Sequence, residues 1–324
     1  MNATLRINDK CNFGCRYCFT HLSNETVCEM NKETADEVLA FCIANDVKRV
    51  DIPQKEPLLS PEMLKYIIEH YTENGVKIGG ITTNLYCLTD EIVKLLKKHK
   101  LFVLTSYDGI WHDEYRVLQD GTPTANHVRK NIEKLIKAGI PFNIACAVVH
   151  GTESRIYDNY KHLSSIHKGI VFNFDVSSPL AIQDLQTIES QFAKIANETL
   201  EIFPLNKIVR NIRSNHHYAN HMCGAGRGSY TFDWDGWIYP CYHVPSWKAM
   251  GISIGNINDG INLQEKNKFR HYDTSKPEKC KNCESALCGI CYAAAHDATG
   301  NMLQPIDINC RLFDMLTKVV RGTM

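Results

Sequence analysis

The sequence carries no excess charge of either sign: 36 basic residues balance 36 acidic ones over 324 positions. Such a chain has no field to draw nucleic acid or an anionic membrane surface as its main partner. It contains no apolar run of 18 residues, so no segment reads as a membrane span. The opening stretch, MNATLRINDK, lacks the basic-then-apolar order of a secretion signal. Internal repeats and low-complexity linkers are missing too. These absences point to a cytoplasmic globular protein, with no nucleic-acid or membrane partner, long enough for more than one domain. What the chain does have is cysteine, 14 in all. In a reducing compartment these read as metal ligands or reactive thiols rather than disulfides.

Residues 1 to about 200 alternate short β-rich runs with amphipathic helical runs. ATLRIND, RVDI, VKIGGITTN, LFVLTSYDG, PFNIACAVV and GIVFNFDV are the six expected strands. Between them lie helices whose ends are marked locally. Asn31, Ser60 and Thr89 are expected N-caps, Pro61 occupies a first turn, and Gly75 and Gly139 are stops. A further long helix is expected near 182 to 202. Strands alternating with helices imply βαβ units, a parallel sheet and one rim that collects the strand C-termini. Cys11 to Cys18, Glu56, Asn84 and Ser106 to Gly109 all follow strands directly and so belong at that rim. From about Asn215 the texture turns Gly-, aromatic- and Cys-rich, with WDGWIYP reading as a hairpin. The expected division is therefore 1–210 for an α/β domain and 211–324 for a cysteine-rich one.

Cys11, Cys15 and Cys18 stand at gaps of three and two in DKCNFGCRYCFT. A closed zinc site wants four ligands. Three thiolates on one tight loop can instead hold three irons of a [4Fe–4S] cubane and leave the fourth open to a substrate or cofactor. A second group runs Cys223, Cys241, Cys280, Cys283, Cys288, Cys291 and Cys310. Taken alone, CKNCESALCGIC suits a zinc ribbon, but seven thiols exceed one tetrahedral zinc.

In order along the chain, these features resemble the radical S-adenosylmethionine superfamily. Its marks here are Cys-x3-Cys-x-aromatic-Cys after strand one, QKEPLL (54–59), TTN (82–84), SYDG (106–109) and the helix-to-strand passage IEKLIKAGIPFNIACAVV. The likeness covers roughly residues 3 to 180 and implies a partial (βα)6 barrel. It also implies that Cys11, Cys15 and Cys18 ligate three irons while S-adenosylmethionine chelates the open one. Tyr17 would lie against the adenine, Glu56 and the backbone at Lys55 would meet the amino group, and Asn84 would sit in the segment after strand three. Ser106 would face the ribose and Arg116 the carboxylate. The chain departs from the family at Gln54 and Lys55, where two glycines are usual.

The C-terminal region resembles the SPASM extension of that superfamily, down to DGWIYPC and IGNI. The resemblance implies two auxiliary iron–sulfur clusters. Cys280, Cys283, Cys288 and Cys310 would hold the far one, and Cys223, Cys241 and Cys291 the near one. Related enzymes often carry a fourth near ligand where this chain has Ser229. An open iron, a non-cysteine ligand and a smaller cluster are the three readings that follow. Of the remaining thiols, Cys28, Cys42 and Cys87 are expected to be inert. Cys146, on strand five, is the candidate catalytic thiol, able to return a hydrogen atom to a substrate radical. His21, the run at 216–221 and His243 are further possible ligands or acid–base groups.

The activity implied is reductive cleavage of S-adenosylmethionine to a 5′-deoxyadenosyl radical that abstracts a hydrogen atom. The implied substrate is a ribosomally made peptide, which would gain a cross-link, a thioether or an oxidation. The implied electron donor is flavodoxin- or ferredoxin-like. Strand one starts at residue 3, so a leader-binding module, if used, is expected on a separate protein. Sulfatase-maturing relatives carry aspartate directly after the cysteine matching Cys241; here Tyr242 argues against that activity. The alternatives are an epimerase or dehydrogenase acting on a peptide or a small molecule such as an amino sugar, and a zinc-binding interaction module with no catalysis.

Overall fold

Six strands, each followed by a helix, form the first two thirds of the chain. The structure is a computed structural model describing residues 2–18, 20, 28–174, 180–215, 223–272, 277–288 and 291–324. The strands are β1 (Asn2–Leu5), β2 (Arg49–Ile52), β3 (Lys77–Thr83), β4 (Phe102–Ser106), β5 (Phe142–Val148) and β6 (Ile170–Phe174). Their helices are Lys32–Ala44, Pro61–Glu73, Asp90–Lys98, Ala125–Ala138, Ile156–Ile166 and Asp184–Glu198. Four short strands follow: β7 (Ser229–Phe232), β8 (Trp237–Tyr239), β9 (Gly255–Asn256) and β10 (Gly260–Ile261). The α/β class with a mostly parallel sheet, expected from the alternation of elements, is the class observed.

Two compact units share the chain. The first takes Met1–Tyr107, His112–Phe142 and Ala225–Arg270; the second takes Asp108–Trp111, Asn143–Gly224 and His271–Met324. In the first, strands run in the order β10-β9-β8-β7-β1-β2-β3-β4. β7, β1, β2, β3 and β4 are parallel neighbours, whereas β7 to β10 pair antiparallel. WDGWIYP does form the hairpin, with Gly236 in its turn at φ +83°. In the second unit β5 and β6 pair in parallel, and the helix Asp307–Thr323 packs on Asp184–Glu198 and Leu205–Arg213. No helix among the described residues is long and apolar enough to cross a membrane.

Local chemistry explains most helix ends. Asn31 accepts from Thr34 N at 2.7 Å, Thr89 accepts from Ile92 N at 3.3 Å, and Gly139 closes its helix in the left-handed region. Ser60 does not cap, contrary to expectation, because Asn8 Nδ2 takes its hydroxyl at 2.8 Å. The helix expected at 182–202 ends at Glu198, with Thr199 extended. A separate helix, Leu205–Arg213, starts after Pro204, whose missing N–H and ring oppose a continuous helix there.

An ion pair without access to water fastens β7 to β1. Arg6 Nε donates to Asp233 Oδ1 at 2.6 Å, and both side chains are at most 3% exposed. Lys248 Nζ approaches the other oxygen at 2.7 Å, and Arg6 N donates to Phe232 O beside it. Removing the shared carboxylate leaves a buried guanidinium with only Asp9, at 3.4 Å, to face it, and breaking such a buried pair typically costs about 3–5 kcal/mol. Asp233→Ala is therefore expected to lose about that much unfolding free energy in a denaturant titration. A loss below about 1 kcal/mol would show that the pair does not fasten the strand.

Candidate functional site

The loop after β1 is stitched along its backbone on two sides. On one side Glu56 N donates to Lys10 O at 2.9 Å and Asn84 Nδ2 donates to Asn12 Oδ1 at 2.9 Å. On the other, Gly14 N donates to Val117 O, Arg16 N to Tyr115 O and Gln119 Nε2 to the Cys11 carbonyl. Held this way, Cys11, Cys15 and Cys18 all line one cavity of about 200 Å³. Tyr17, Gln54, Lys55, Asn84, Ser106 and Arg116 line the same cavity. All of these except Gln54 are residues to which the sequence assigns a role in the site.

Arg116 brings its cation to within 3.8 Å of Cys15 Sγ and lies 5.1 Å from the Tyr17 ring centre. Cys18 Sγ lies 3.0 Å from Thr20 Oγ1. Burial pushes the Cys11 thiol up to about 12, and the neighbouring Glu56, Cys15 and Cys18 add to the rise. A thiol in such surroundings becomes a thiolate only when a metal supplies the opposing charge. A tetrahedral zinc with bonds near 2.3 Å would bring its sulfurs to about 3.8 Å of one another. Among the described residues no three cysteine sulfurs lie within 4.8 Å of one another. The donor set therefore fits a larger iron–sulfur cluster better than a single ion. The one close group of potential ligands among the described residues, His150, Glu153 and Asp184, is joined by its own ion pairs at 3.1 and 3.3 Å.

Glu56 is not among the residues lining the cavity. Its carboxylate is fully buried and accepts from Leu58 N at 3.0 Å, Thr83 Oγ1 at 2.7 Å and Asn84 N at 2.6 Å. Its position ties the end of β2 to the end of β3. Lys55 adopts φ +57°, a conformation favouring glycine. That explains why the family carries glycine there. The Lys55 ammonium turns to Asp9 Oδ1 and the Thr20 carbonyl, each at 2.8 Å, leaving its backbone at the cavity. Gln54, buried at 6% exposure, has no partner among the described residues for either amide atom, a situation that costs about 1–3 kcal/mol if left unmet. In the sequence its only signal is that it replaces a glycine. In the second unit, Gly109 at φ +66° is required, since a Cβ would sit 2.0 Å from Asn159 Oδ1.

Cys146 is fully buried, with Asn159 Nδ2 at 3.3 Å from its sulfur, and is not among the cavity-lining residues. Cys42 is fully buried, as a small apolar core residue would be. Cys241 is buried and accepts from the Trp247 indole at 3.2 Å. Burial pushes Cys291 up to about 11, the charge of Cys223 adds to the rise, and amides at the start of the helix Tyr292–Thr299 oppose it. Cys280 and Cys283 lie one turn apart, Cys283 exposed, and Cys310 stands on the helix Asp307–Thr323. Cys288 is half-buried. Ser229 lies on β7 opposite Asn2. His243 precedes the helix Val244–Ala249 and packs on Tyr242. His21 and residues 216–221 lie outside the described residues.

Burial pushes the Glu56 carboxyl up to about 7 against the pull of its three donors. An unfolded glutamate titrates near 4.3, so between the two values the folded chain holds the proton more tightly. Stability from this group is thus greatest at low pH and falls as pH rises towards 7. Glu56→Gln removes the titration. Between pH 5.5 and 8.5 the variant should gain about 2 kcal/mol relative to wild type in chemical unfolding. A difference independent of pH would contradict the assignment.

The Radical SAM superfamily model matches residues 5–159, and the SPASM iron–sulfur cluster-binding domain matches residues 223–284. The chain is 22% identical over 359 aligned positions to the radical SAM cyclopropyl synthase TigE of Paramaledivibacter caminithermalis, covering 97% of this chain and 72% of that protein. It is 25% identical to the serine-type anaerobic sulfatase-maturating enzyme of Bacteroides thetaiotaomicron, covering 85% and 77%. Among solved structures, native anSMEcpe with bound AdoMet and a Cp18Cys peptide superposes with a TM-score of 0.81 at 19% identity, covering 99% of this chain and 96% of that one. That likeness is one of fold. With the two models matched in this order, and the three-thiol cavity inside the first, the chain carries a radical SAM domain followed by a SPASM domain.

Proposed function

We propose that the protein modifies a ribosomally made peptide by hydrogen-atom abstraction, giving a cross-link, a thioether or an oxidation. The observation that carries the reading is the convergence of three thiols, one guanidinium and an aromatic ring on a single cavity. When bound there, an iron–sulfur cluster with S-adenosylmethionine supplies a carbon-centred radical able to attack an unactivated C–H bond.

Cys11, Cys15 and Cys18 would hold that cluster. Arg116 would neutralise a carboxylate, Tyr17 would offer a ring face to a base, and Ser106 and Asn84 would supply polar contacts. Lys55 would contribute its backbone, its side chain being committed to Asp9 and Thr20. Glu56 would set where Asn84 stands rather than touch the cofactor. The cysteines of the C-terminal region would hold auxiliary clusters able to accept an electron from an oxidised substrate, and a flavodoxin- or ferredoxin-like protein would deliver the first one. Support for a peptide comes from the peptide in the related solved structure. Tyr242 is 45% exposed and supplies no carboxylate after Cys241, which favours a product other than that of sulfatase maturation.

The test is anaerobic reconstitution followed by mass spectrometry of a candidate peptide, such as one encoded beside the gene, co-expressed with the protein. Wild type should form 5′-deoxyadenosine and remove two hydrogens from the peptide, and Cys15→Ala should do neither. An unchanged peptide mass with deuterium gained from heavy water would mean epimerisation instead. No 5′-deoxyadenosine from the reduced wild-type protein would end the radical reading.

A further inference from the structure

Two cations line the cavity of the three thiols, Lys55 and Arg116, and among the described residues no carboxylate does. The Lys55 ammonium is taken by Asp9 and the Thr20 carbonyl. An amino group brought into this space by a ligand finds no anionic side chain among the described residues to accept from it and must use neutral oxygens. Thr83 Oγ1 is already spent: it donates to Glu56 and accepts from Leu85 N. Asn84 Oδ1 accepts from Tyr86 N, and its Nδ2 donates to Asn12. Gln54 differs from both. It lines the same cavity, it is 6% exposed, and neither its Oε1 nor its Nε2 has a partner among the described residues. A buried amide without a protein partner needs a group to meet it, and the cavity it lines is where a bound ligand would stand.

S-Adenosylmethionine carries an amino group and a carboxylate on the same carbon. We propose that the Gln54 side chain is a cofactor-binding residue, its Oε1 accepting from the amino group of S-adenosylmethionine. The geometry beside it supports the role. Lys55 is in the left-handed region at φ +57°, the conformation a glycine would otherwise supply, so the backbone path of the segment is kept while Gln54 adds an acceptor to it. Without this acceptor a buried N–H of the ligand is left unpaired, and the loss should read as a tenfold or larger loss of affinity.

The inference rests on S-adenosylmethionine binding in this cavity, so the experiment separates the two claims. Calorimetry on anaerobically reconstituted protein compares S-adenosylmethionine with its deaminated analogue, in which hydrogen replaces the amino group. Gln54→Leu should weaken S-adenosylmethionine at least tenfold, leave the analogue within about twofold, and retain the wild-type iron content. Equal weakening of both ligands would mean that Gln54 only shapes the cavity, and no weakening of either would mean it has no role; each overturns the proposal. Wild type that fails to bind S-adenosylmethionine overturns the proposal together with the reading beneath it. If Gln54→Leu fails to load iron, Gln54→Gly takes its place with the same expected and contrary results, since glycine suits the backbone of this segment.

Discussion

A carboxylate sealed from water organises the rim of the first unit. Glu56 receives hydrogen bonds from Leu58 N, Thr83 Oγ1 and Asn84 N, while its own N–H donates to Lys10 O. Those four bonds tie the segments that follow β1, β2 and β3 into one layer. The cysteine loop begins at the first of these segments, Gln54 and Lys55 precede Glu56 in the second, and Asn84 lies in the third. Burying a carboxyl so completely is unfavourable, and its raised pKa is the sign of that cost. The compensation is positional: three parallel strands end in fixed register around one small space.

A second chain of charges extends the same layer. Lys248 meets Asp233, Asp233 meets Arg6, Arg6 approaches Asp9 at 3.4 Å, and Asp9 meets Lys55. Lys55 then reaches the carbonyl of Thr20, two residues beyond Cys18. Every link lies within the first unit, so the β7–β8 hairpin and the cysteine loop share one electrostatic frame. A hairpin drawn from residues past 225 is thereby part of the surroundings of cysteines at 11 to 18. The β1 edge that would otherwise stay unpaired is covered by β7.

Much of this was legible from spacing and local chemistry. The alternation of strand and helix, the caps at Asn31 and Thr89, the stop at Gly139 and the hairpin at Gly236 each depend on residues within a few positions of one another. The three-cysteine loop was equally plain, because its thiols lie within eight residues. What escaped was non-local. Asn8 takes Ser60 away from its helix across the sheet, and Arg6 finds Asp233 at a separation of 227 residues. Motifs give order along the rim but not depth: the burial of Glu56 and its three donors are not legible in QKEPLL. Gln54 and Lys55 looked like simple departures from a glycine pair. The left-handed backbone angle at Lys55 and the buried amide of Gln54, without a partner among the described residues, are visible only in the structure.

The proposed chemistry depends on the three thiols at 11, 15 and 18 presenting an iron that S-adenosylmethionine can reach. Electron paramagnetic resonance of the dithionite-reduced, reconstituted protein tests this most directly. Adding S-adenosylmethionine should shift one set of low-temperature signals, and Cys15→Ala should abolish that set while signals from clusters held by the C-terminal cysteines persist. A spectrum indifferent to S-adenosylmethionine, or a responsive signal that survives in Cys15→Ala, would contradict it.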